Sequence, residues 1–263
     1  MKDLEICTLA SGSKGNCTYI SYGDASILID QGLTLRELTV RANYRGIDLS
    51  KIDAVFVTHE HADHIKGVGA FARRYGKPVH LPAACMARMK LEDGDERWFV
   101  PDENDSEVVV KDMKVTPFRV PHDAAYTVAY RISAGTDDVA VATDLGYVGE
   151  NTLARLSGCK AVVLESNHDT EMLRNGRYPY LLKARIAGKN GHLSNAAAAE
   201  TAAALAETGT QRLILAHLSE ENNTPETAFE AARTELGRHG VKEGGDVLLC
   251  VAGQYKPSDR IKI

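Results

Sequence analysis

The chain has 263 residues, 44% of them hydrophobic and 25% charged, and a formal net charge of −5. That length buries a sizeable core without disulfide or metal staples, and the composition excludes a disordered or fibrous chain. The negative balance lacks the global basic footprint of many nucleic-acid binders, although bound divalent cations would bring positive charge to the place where a phosphate sits.

Met1-Lys2-Asp3-Leu4-Glu5 mixes charges and leads into a strand-like Ile6-Cys7-Thr8-Leu9, with neither an apolar signal core nor a cleavage site. No apolar run approaches the length of a membrane span. The five cysteines, Cys7, Cys17, Cys85, Cys159 and Cys250, are odd in number, widely spaced and free of C-x-x-C pairs. Reduced core thiols in a cytoplasmic protein with no membrane partner are expected, and zinc-ribbon and thioredoxin readings fall away.

In chain order, the pattern predicts strands over roughly 3–10, 17–22 and 25–30, broken by Ser11-Gly12-Ser13-Lys14-Gly15-Asn16 and by Gly23-Asp24. The Ser/Gly/Asn loop reads as a hairpin turn, or as a set of amides and hydroxyls facing an anion. Asp30 follows the apolar Ile27-Leu28-Ile29, as a turn former or as support for a metal ligand. Thr34 with Glu37 makes a capping box for a helix over 35–44. A strand over 53–58 then feeds Thr58-His59-Glu60-His61-Ala62-Asp63-His64, and a helix follows over 64–75. Three imidazoles and two carboxylates from His59 to His64, at the end of a buried strand, point to metal ligation.

Beyond lie a short strand around Val79, a helical patch over 83–91, an acidic linker over 92–107 and a strand over 108–120 that ends in Val120-Pro121-His122-Asp123. Taken alone, His122 reads equally as a ligand or as a loop histidine. Strands over 126–133 and 138–143 follow, the second delivering Asp144. A helix over 150–157 leads to a strand over 161–164 and then Glu165-Ser166-Asn167-His168-Asp169. Residues 172–199 hold Arg174, Arg177, Lys183, Arg185 and Lys189, with Tyr178 and Tyr180 and no acidic residue, which suits a polyanion or a solvated helix face.

That basic run enters Gly191-His192-Leu193-Ser194-Asn195, where Ser194 or Asn195 caps an Ala-rich helix ending near Gly209. A strand over 211–216 presents His217, Thr224-Pro225 opens a helix to about 239, and a strand over 247–251 closes the pattern. No linker interrupts it, so residues 1–263 are expected to form one domain. The order of strands, helices, strands and helices predicts an α+β architecture of two sheets face to face with helices outside both.

His59, His61, Asp63, His64, His122, Asp144 and His217 each lie at or just after the C-terminal end of a predicted strand. If those ends converge, seven donors meet in one cleft. Imidazole and carboxylate without thiolate suit two borderline divalent ions, zinc first and manganese as the alternative.

H-x-H-x-D-H, followed by a lone His, an Asp after a strand and a final His after a strand, resembles the metallo-β-lactamase superfamily, a four-layer αβ/βα sandwich, over nearly the whole chain. Ser11-Gly12-Ser13-x-Gly15-Asn16, E-H-A-D-H-I-K-G, A-T-D-L-G, E-S-N-H-D, G-H-L-S-N and L-A-H-L-S-E-E-N-N-T-P-E look most like the WalJ (YycJ) family, described as metal-dependent DNA exonucleases of 5′-to-3′ polarity. The resemblance implies that His59, His61 and His122 hold one ion, that Asp63, His64 and His217 hold a second, that Asp144 bridges them and that Asp30 supports the set. Such a pair of ions activates a water and clamps an in-line displacement at phosphorus, with Asp63 inside the catalytic centre.

His192 resembles the histidine that meets the scissile phosphate in phosphodiesterases of this superfamily, and Glu165 the carboxylate that orients it as a general acid. Ser13, Asn16, His168, Lys183 and Arg185 are the expected substrate contacts, with DNA favoured over RNA. A small cyclic phosphodiesterase or an RNA-directed nuclease is the alternative. A metal-binding sensor has no use for the His192 and Glu165 pair. Position 61 departs from the H-x-E-x-D-H of flavodiiron proteins, and the stretch from Asp144 to His217 is too short for an inserted β-CASP domain.

Overall fold

Alternation along the strands assigns each sheet an inner and an outer core. The computed structural model describes residues 2–89, 98–99 and 106–263. Its first half contains β1 (Leu4–Ala10), β2 (Cys17–Tyr22), β3 (Ala25–Ile29), α1 (Leu35–Tyr44), β4 (Ala54–Phe56), α2 (Ala62–Ile65), α3 (Val68–Tyr75), β5 (Val79–His80), α4 (Ala83–Met89) and β6 (Trp98–Phe99). The second contains β7 (Val108–Val110), β8 (Met113–Arg119), β9 (Val128–Ala134), β10 (Asp137–Ala142), α5 (Glu150–Leu156), β11 (Ala161–Glu165), α6 (Thr170–Asn175), α7 (Tyr180–Ile186), α8 (Asn195–Glu207), β12 (Arg212–Ala216), α9 (Pro225–Arg238), β13 (Leu248–Val251) and β14 (Ile261–Lys262).

The strands form two sheets, ordered β14-β1-β2-β3-β4-β5-β6 and β13-β12-β11-β10-β9-β8-β7. Each is antiparallel on one side and parallel on the other: β3 to β6 run parallel in the first, β10 to β13 in the second. Ile27 and Ile29 of β3 point between the sheets, where with Ile6, Ile20 and Phe56 they meet Val115, Tyr130, Ile132, Val163 and Ile214. Leu28 and Val55 point the other way, onto Leu38 of α1 and Phe71 of α3. Val162, Leu164, Leu213 and Leu215 pack outward against Leu156, Ala202, Leu205 and Leu236 of α5, α8 and α9. Period-two strands with both faces covered therefore give the four-layer αβ/βα sandwich expected from the sequence.

Several predicted elements break where backbone contacts demand it. The helix expected over 64–75 is two, α2 and α3, separated at Gly67. A Cβ on Gly67 would lie 2.0 Å from the Leu33 carbonyl oxygen, and its N–H donates to the Gln31 carbonyl at 3.0 Å. The strand expected over 108–120 is a hairpin of β7 and β8 that turns at Lys111, whose φ is 51°. The basic run over 172–199 spreads across α6, α7 and the start of α8, and α7 buries none of its side chains. Strands β6 and β14 had no counterpart in the pattern. The helical patch over 83–91 is described as far as Met89, and the acidic linker over 92–107 lies outside the described residues except at 98–99 and 106–107. Cys7, Cys17, Cys159 and Cys250 are free thiols. Among the described residues no helix is long and apolar enough to cross a membrane.

Because parallel strands end at a common edge, β3, β4, β10, β11 and β12 deliver Asp30, Thr58 and His59, Asp144, Glu165 and His217 to one rim of the sandwich. Tyr130 braces that rim from within the core. Its hydroxyl donates to the Val57 carbonyl at 2.7 Å, and its ring meets Phe56 edge-on with centroids 5.6 Å apart. Tyr130→Phe leaves that buried carbonyl without its partner and is expected to lower unfolding stability by about 1–3 kcal/mol. Urea denaturation measures it as a lower midpoint at unchanged slope.

Candidate metal centre

Three of the rim residues leave their strands in the left-handed region: Asp30 at φ 59°, Asp144 at φ 60° and His217 at φ 56°. Asp and His tolerate this conformation better than bulky or β-branched residues do. Backbone bonds hold two of the turns. Asp30 N–H donates to the Phe56 carbonyl at 2.7 Å, and His217 N–H donates to Ser11 Oγ at 2.7 Å.

Four of the five clustered imidazoles share one arrangement. The Nδ1 atom faces Thr58 Oγ1 at 3.0 Å in His59, Asp30 Oδ2 at 2.7 Å in His64, the Gly191 carbonyl at 3.0 Å in His122 and Glu165 Oε1 at 2.9 Å in His217. An oxygen on Nδ1 leaves Nε2 for coordination, the pattern of metal-binding histidines. His61, half-buried, differs: its Nδ1 lies 3.3 Å from His122 Nε2. Asp144 is buried at the middle, with Oδ2 3.0 Å from His64 Nε2 and Oδ1 3.6 Å from His122 Nε2. Asp63 Oδ2 lies 3.5 Å from His64 Nε2 and 3.4 Å from His217 Nε2.

The donors thus fall into overlapping groups, His59 with His61 and His122, His59 with His64 and Asp144, and Asp63 with His64 and His217, whose ligand atoms lie within 4.8 Å of one another. His59 Nε2 and Asp144 Oδ2 are buried without a hydrogen bond. Two unsatisfied acceptors facing one space are what a cation would satisfy, so the residues present fit divalent metal. Burial pushes the His59 imidazole well below its ordinary value and the His61 imidazole down too. Burial alone would raise Asp144 and Asp63. His217 and His64 instead hold Asp144 well below the usual carboxylate range, and His64 and His217 hold Asp63 below it.

Glu165, 0% exposed, joins this cluster to His192. Its Oε1 accepts from His192 Nδ1 at 2.8 Å as well as from His217, while Oε2 accepts the N–H groups of Leu145 at 2.9 Å and Leu193 at 3.2 Å. Burial opposes its charge, but His192 and the hydrogen bonds from both histidines pull it down to about 2. In turn, Glu165 raises His192 above its ordinary value against the effect of burial.

Other expected residues stand elsewhere. Asn16 is buried and committed: Oδ1 accepts the Gly12 N–H at 2.8 Å, and Nδ2 lies 3.2 Å from Asp63 Oδ2 and 3.0 Å from His64 Nε2, so it supports donors rather than facing substrate. His168 is only 2% exposed, which removes it from the substrate-facing surface because its strand-end loop folds under α8 with its carbonyl accepting from Asn195 N–H. Ser13 is exposed beside Asp63. Lys183 Nζ donates to the Arg174 carbonyl, and Arg185 pairs with Asp123, whose Oδ1 lies 3.4 Å from His122 Nε2.

The sequence reading gave Thr58 and Gly32 no role, and it counted Glu60 with Asp63 among the carboxylates gathered for metal, whereas Glu60 binds backbone instead. Thr58 binds Asp30 through both N–H and Oγ1, at 2.8 and 2.9 Å. A Cβ on Gly32 would lie 1.6 Å from the Asp63 carbonyl oxygen, so only glycine lets the chain after Asp30 pass the Asp63 backbone. Glu60 Oε1 accepts the Ala125 N–H at 2.8 Å, tying the histidine cluster to the His122 loop. Thr58 and Gly32 carried no signal beyond their places next to His59 and after Asp30.

Asp30→Asn keeps the size of the group that orients His64 and removes its charge. It is expected to weaken metal binding about 10- to 100-fold. Competition against a chromophoric chelator measures this, and an unchanged affinity would contradict the orienting role.

Residues 25–218 match the family model described as the beta-lactamase superfamily domain. The chain is 36% identical over 244 residues to an exodeoxyribonuclease YycJ of Bacillus anthracis, covering 92% of each. It is 33% identical over 248 residues to an exodeoxyribonuclease WalJ of Streptococcus pneumoniae, covering 90% of each. Among solved structures, the metallo-beta-lactamase fold protein YhfI of Bacillus subtilis superposes with a TM-score of 0.72 at 18% identity, over 97% of this chain and 99% of that one. The sandwich, the clustered donors at its rim and these likenesses agree that the chain belongs to the beta-lactamase superfamily, as a hydrolase of metallo-β-lactamase fold.

Proposed function

We propose that the chain is a dinuclear metal-dependent phosphodiesterase, a cytoplasmic exonuclease that degrades DNA in the 5′-to-3′ direction. The observation that carries the phosphodiester reading is the His192 and Glu165 pair set against the metal-binding cluster, with His192 Nδ1 2.8 Å from Glu165 Oε1 and 3.6 Å from Asp144 Oδ1. The names of the two bacterial relatives support DNA as substrate, and the WalJ resemblance supports the polarity. The free thiols of Cys7, Cys17, Cys159 and Cys250 support a reducing compartment.

His59, His61 and His122 would hold one ion and Asp63, His64 and His217 the other, with Asp144 between them. Zinc or manganese, when bound, supplies Lewis acidity at the phosphate. The protein's own part is proton management. Water oxygen attacks phosphorus and releases a proton to solvent, the bond from phosphorus to the leaving oxygen breaks, and that oxygen takes a proton from the general acid. His192 is the donor, because Glu165 occupies its Nδ1 and raises its basicity, leaving Nε2–H for the cleft. Glu165, out of solvent, is a positioning residue. Ser13 at the cleft edge and the basic faces of α6 and α7, with Lys183 and Arg185, are the proposed contacts to the strand.

His192→Ala is expected to retain bound metal and lose about 10²- to 10⁴-fold in turnover, whereas Asp144→Ala loses metal and hydrolysis together. Elemental analysis beside a phosphodiesterase assay separates the two. Digestion of end-labelled single- and double-stranded DNA and RNA with Mn or Zn tests substrate and polarity. Release of mononucleotides from the 5′ end of DNA is expected; cleavage of a small cyclic diester without cleavage of nucleic acid would refute the nuclease assignment.

A further inference from the structure

Beside the cluster, a groove of about 870 Å³ opens at His122. Its walls are the loops that carry the rim residues. The loop from β8 to β9, which bears His122, brings Arg119 and Tyr126. The loop after β10, which bears Asp144, brings Tyr147, and the loop ahead of His192 brings Asn190. These loops interlock: Gly146 N–H donates to the Pro121 carbonyl at 2.9 Å, and a Cβ on Gly146 would lie 2.2 Å from the Lys189 carbonyl oxygen. A group seated in the groove is therefore fixed relative to His122, Asp144 and His192.

The lining chemistry selects the occupant. The Arg119 guanidinium lies 5.0 Å from the centroid of the Tyr126 ring, a cation stacked on an aromatic face. Tyr147 is 49% exposed with its ring in the groove wall. Among the described residues, one arginine, one glutamate (Glu150) and no lysine line the groove, a nearly balanced charge that suits a neutral heterocycle better than a second phosphate. Flat aromatic and guanidinium faces beside a phosphodiester centre are what an unpaired nucleobase stacks on.

We propose that this groove is a base subsite: it takes the base of the nucleotide adjoining the scissile phosphate from a single strand, stacking it on Tyr147 and on the Arg119–Tyr126 pair. The inference rests on the nuclease reading and adds that the strand is held by a base as well as by its phosphates.

The test uses the full-length, metal-loaded enzyme and two short single-stranded oligonucleotides, one intact and one abasic at the residue next to the terminal scissile bond. Anisotropy with the metal-free protein gives binding without cleavage. Tyr147→Ala and Arg119→Ala are expected to weaken binding and raise KM about 5- to 100-fold on the intact strand, the range for loss of one stacked base. They are expected to have no such effect on the abasic strand. Tyr147→Phe, which keeps the ring, is expected to restore the intact-strand values. Normal cleavage of the intact strand by both alanine variants overturns the subsite and leaves the nuclease reading standing. An equal loss on the abasic strand, or in Tyr147→Phe, overturns base stacking. A wild-type enzyme that binds and cleaves no oligonucleotide overturns both.

Discussion

A carboxylate withdrawn completely from water has to find donors for its charge, and Glu165 finds four. His192 and His217 share one oxygen, and the N–H groups of Leu145 and Leu193 share the other. The donors come from three loops, so the end of β11 binds the loop after β10, the loop before α8 and the loop after β12 into one unit. Breaking a buried charge network of this kind costs about 3–5 kcal/mol. His192 and His217, with ring centroids 5.3 Å apart, therefore cannot reorient independently.

Asp30 does for the first sheet what Glu165 does for the second. It stands at the end of β3 and accepts from Thr58 N–H, Thr58 Oγ1 and His64 Nδ1. Thr58 Oγ1 is in turn the oxygen beside His59 Nδ1, so one carboxylate orients two imidazoles, one directly and one through a hydroxyl. The left-handed turns at Asp30, Asp144 and His217 cost of order 1–3 kcal/mol each and persist because neighbouring bonds over-determine them. The inter-sheet core carries that cost, since the same strands that end at these residues bury Ile27, Ile29, Val141 and Ile214 between the sheets.

The sandwich was legible because its strands announce themselves twice, as alternating apolar runs and as runs ending in a polar residue. The cluster was legible for the same reason: His59, Asp144 and His217 each follow an apolar run. Local chemistry also located the capping box at Thr34 and Glu37, which the structure contains. Two kinds of feature were beyond the pattern. Breaks such as Gly67 depend on which backbone passes nearby, here the Leu33 carbonyl, and periodicity contains no such neighbour. The partners of Asn16 and Glu165 lie 47 and 52 residues away, at Asp63 and His217, and residue type alone does not distinguish a substrate contact from a support. On that account Asn16 and His168 read as substrate contacts in the sequence and stand buried in the structure.

Asp144 and Glu165 pose the same difficulty in its sharpest form. Both are buried acids at the ends of adjacent parallel strands, and nothing in their flanking residues separates their roles. The difference lies in what remains unsatisfied. Each Glu165 oxygen already accepts two donors, and the group's effect passes through the histidines it holds. Asp144 Oδ2 has no hydrogen bond although His64 Nε2 stands 3.0 Å away, and His59 Nε2 nearby is equally unmatched. Positive charge is wanted at Asp144 and already supplied at Glu165. A cation beside Asp144 and a proton on the His192 that Glu165 holds would thereby not compete for one carboxylate, the separation that the proposed phosphodiester cleavage needs.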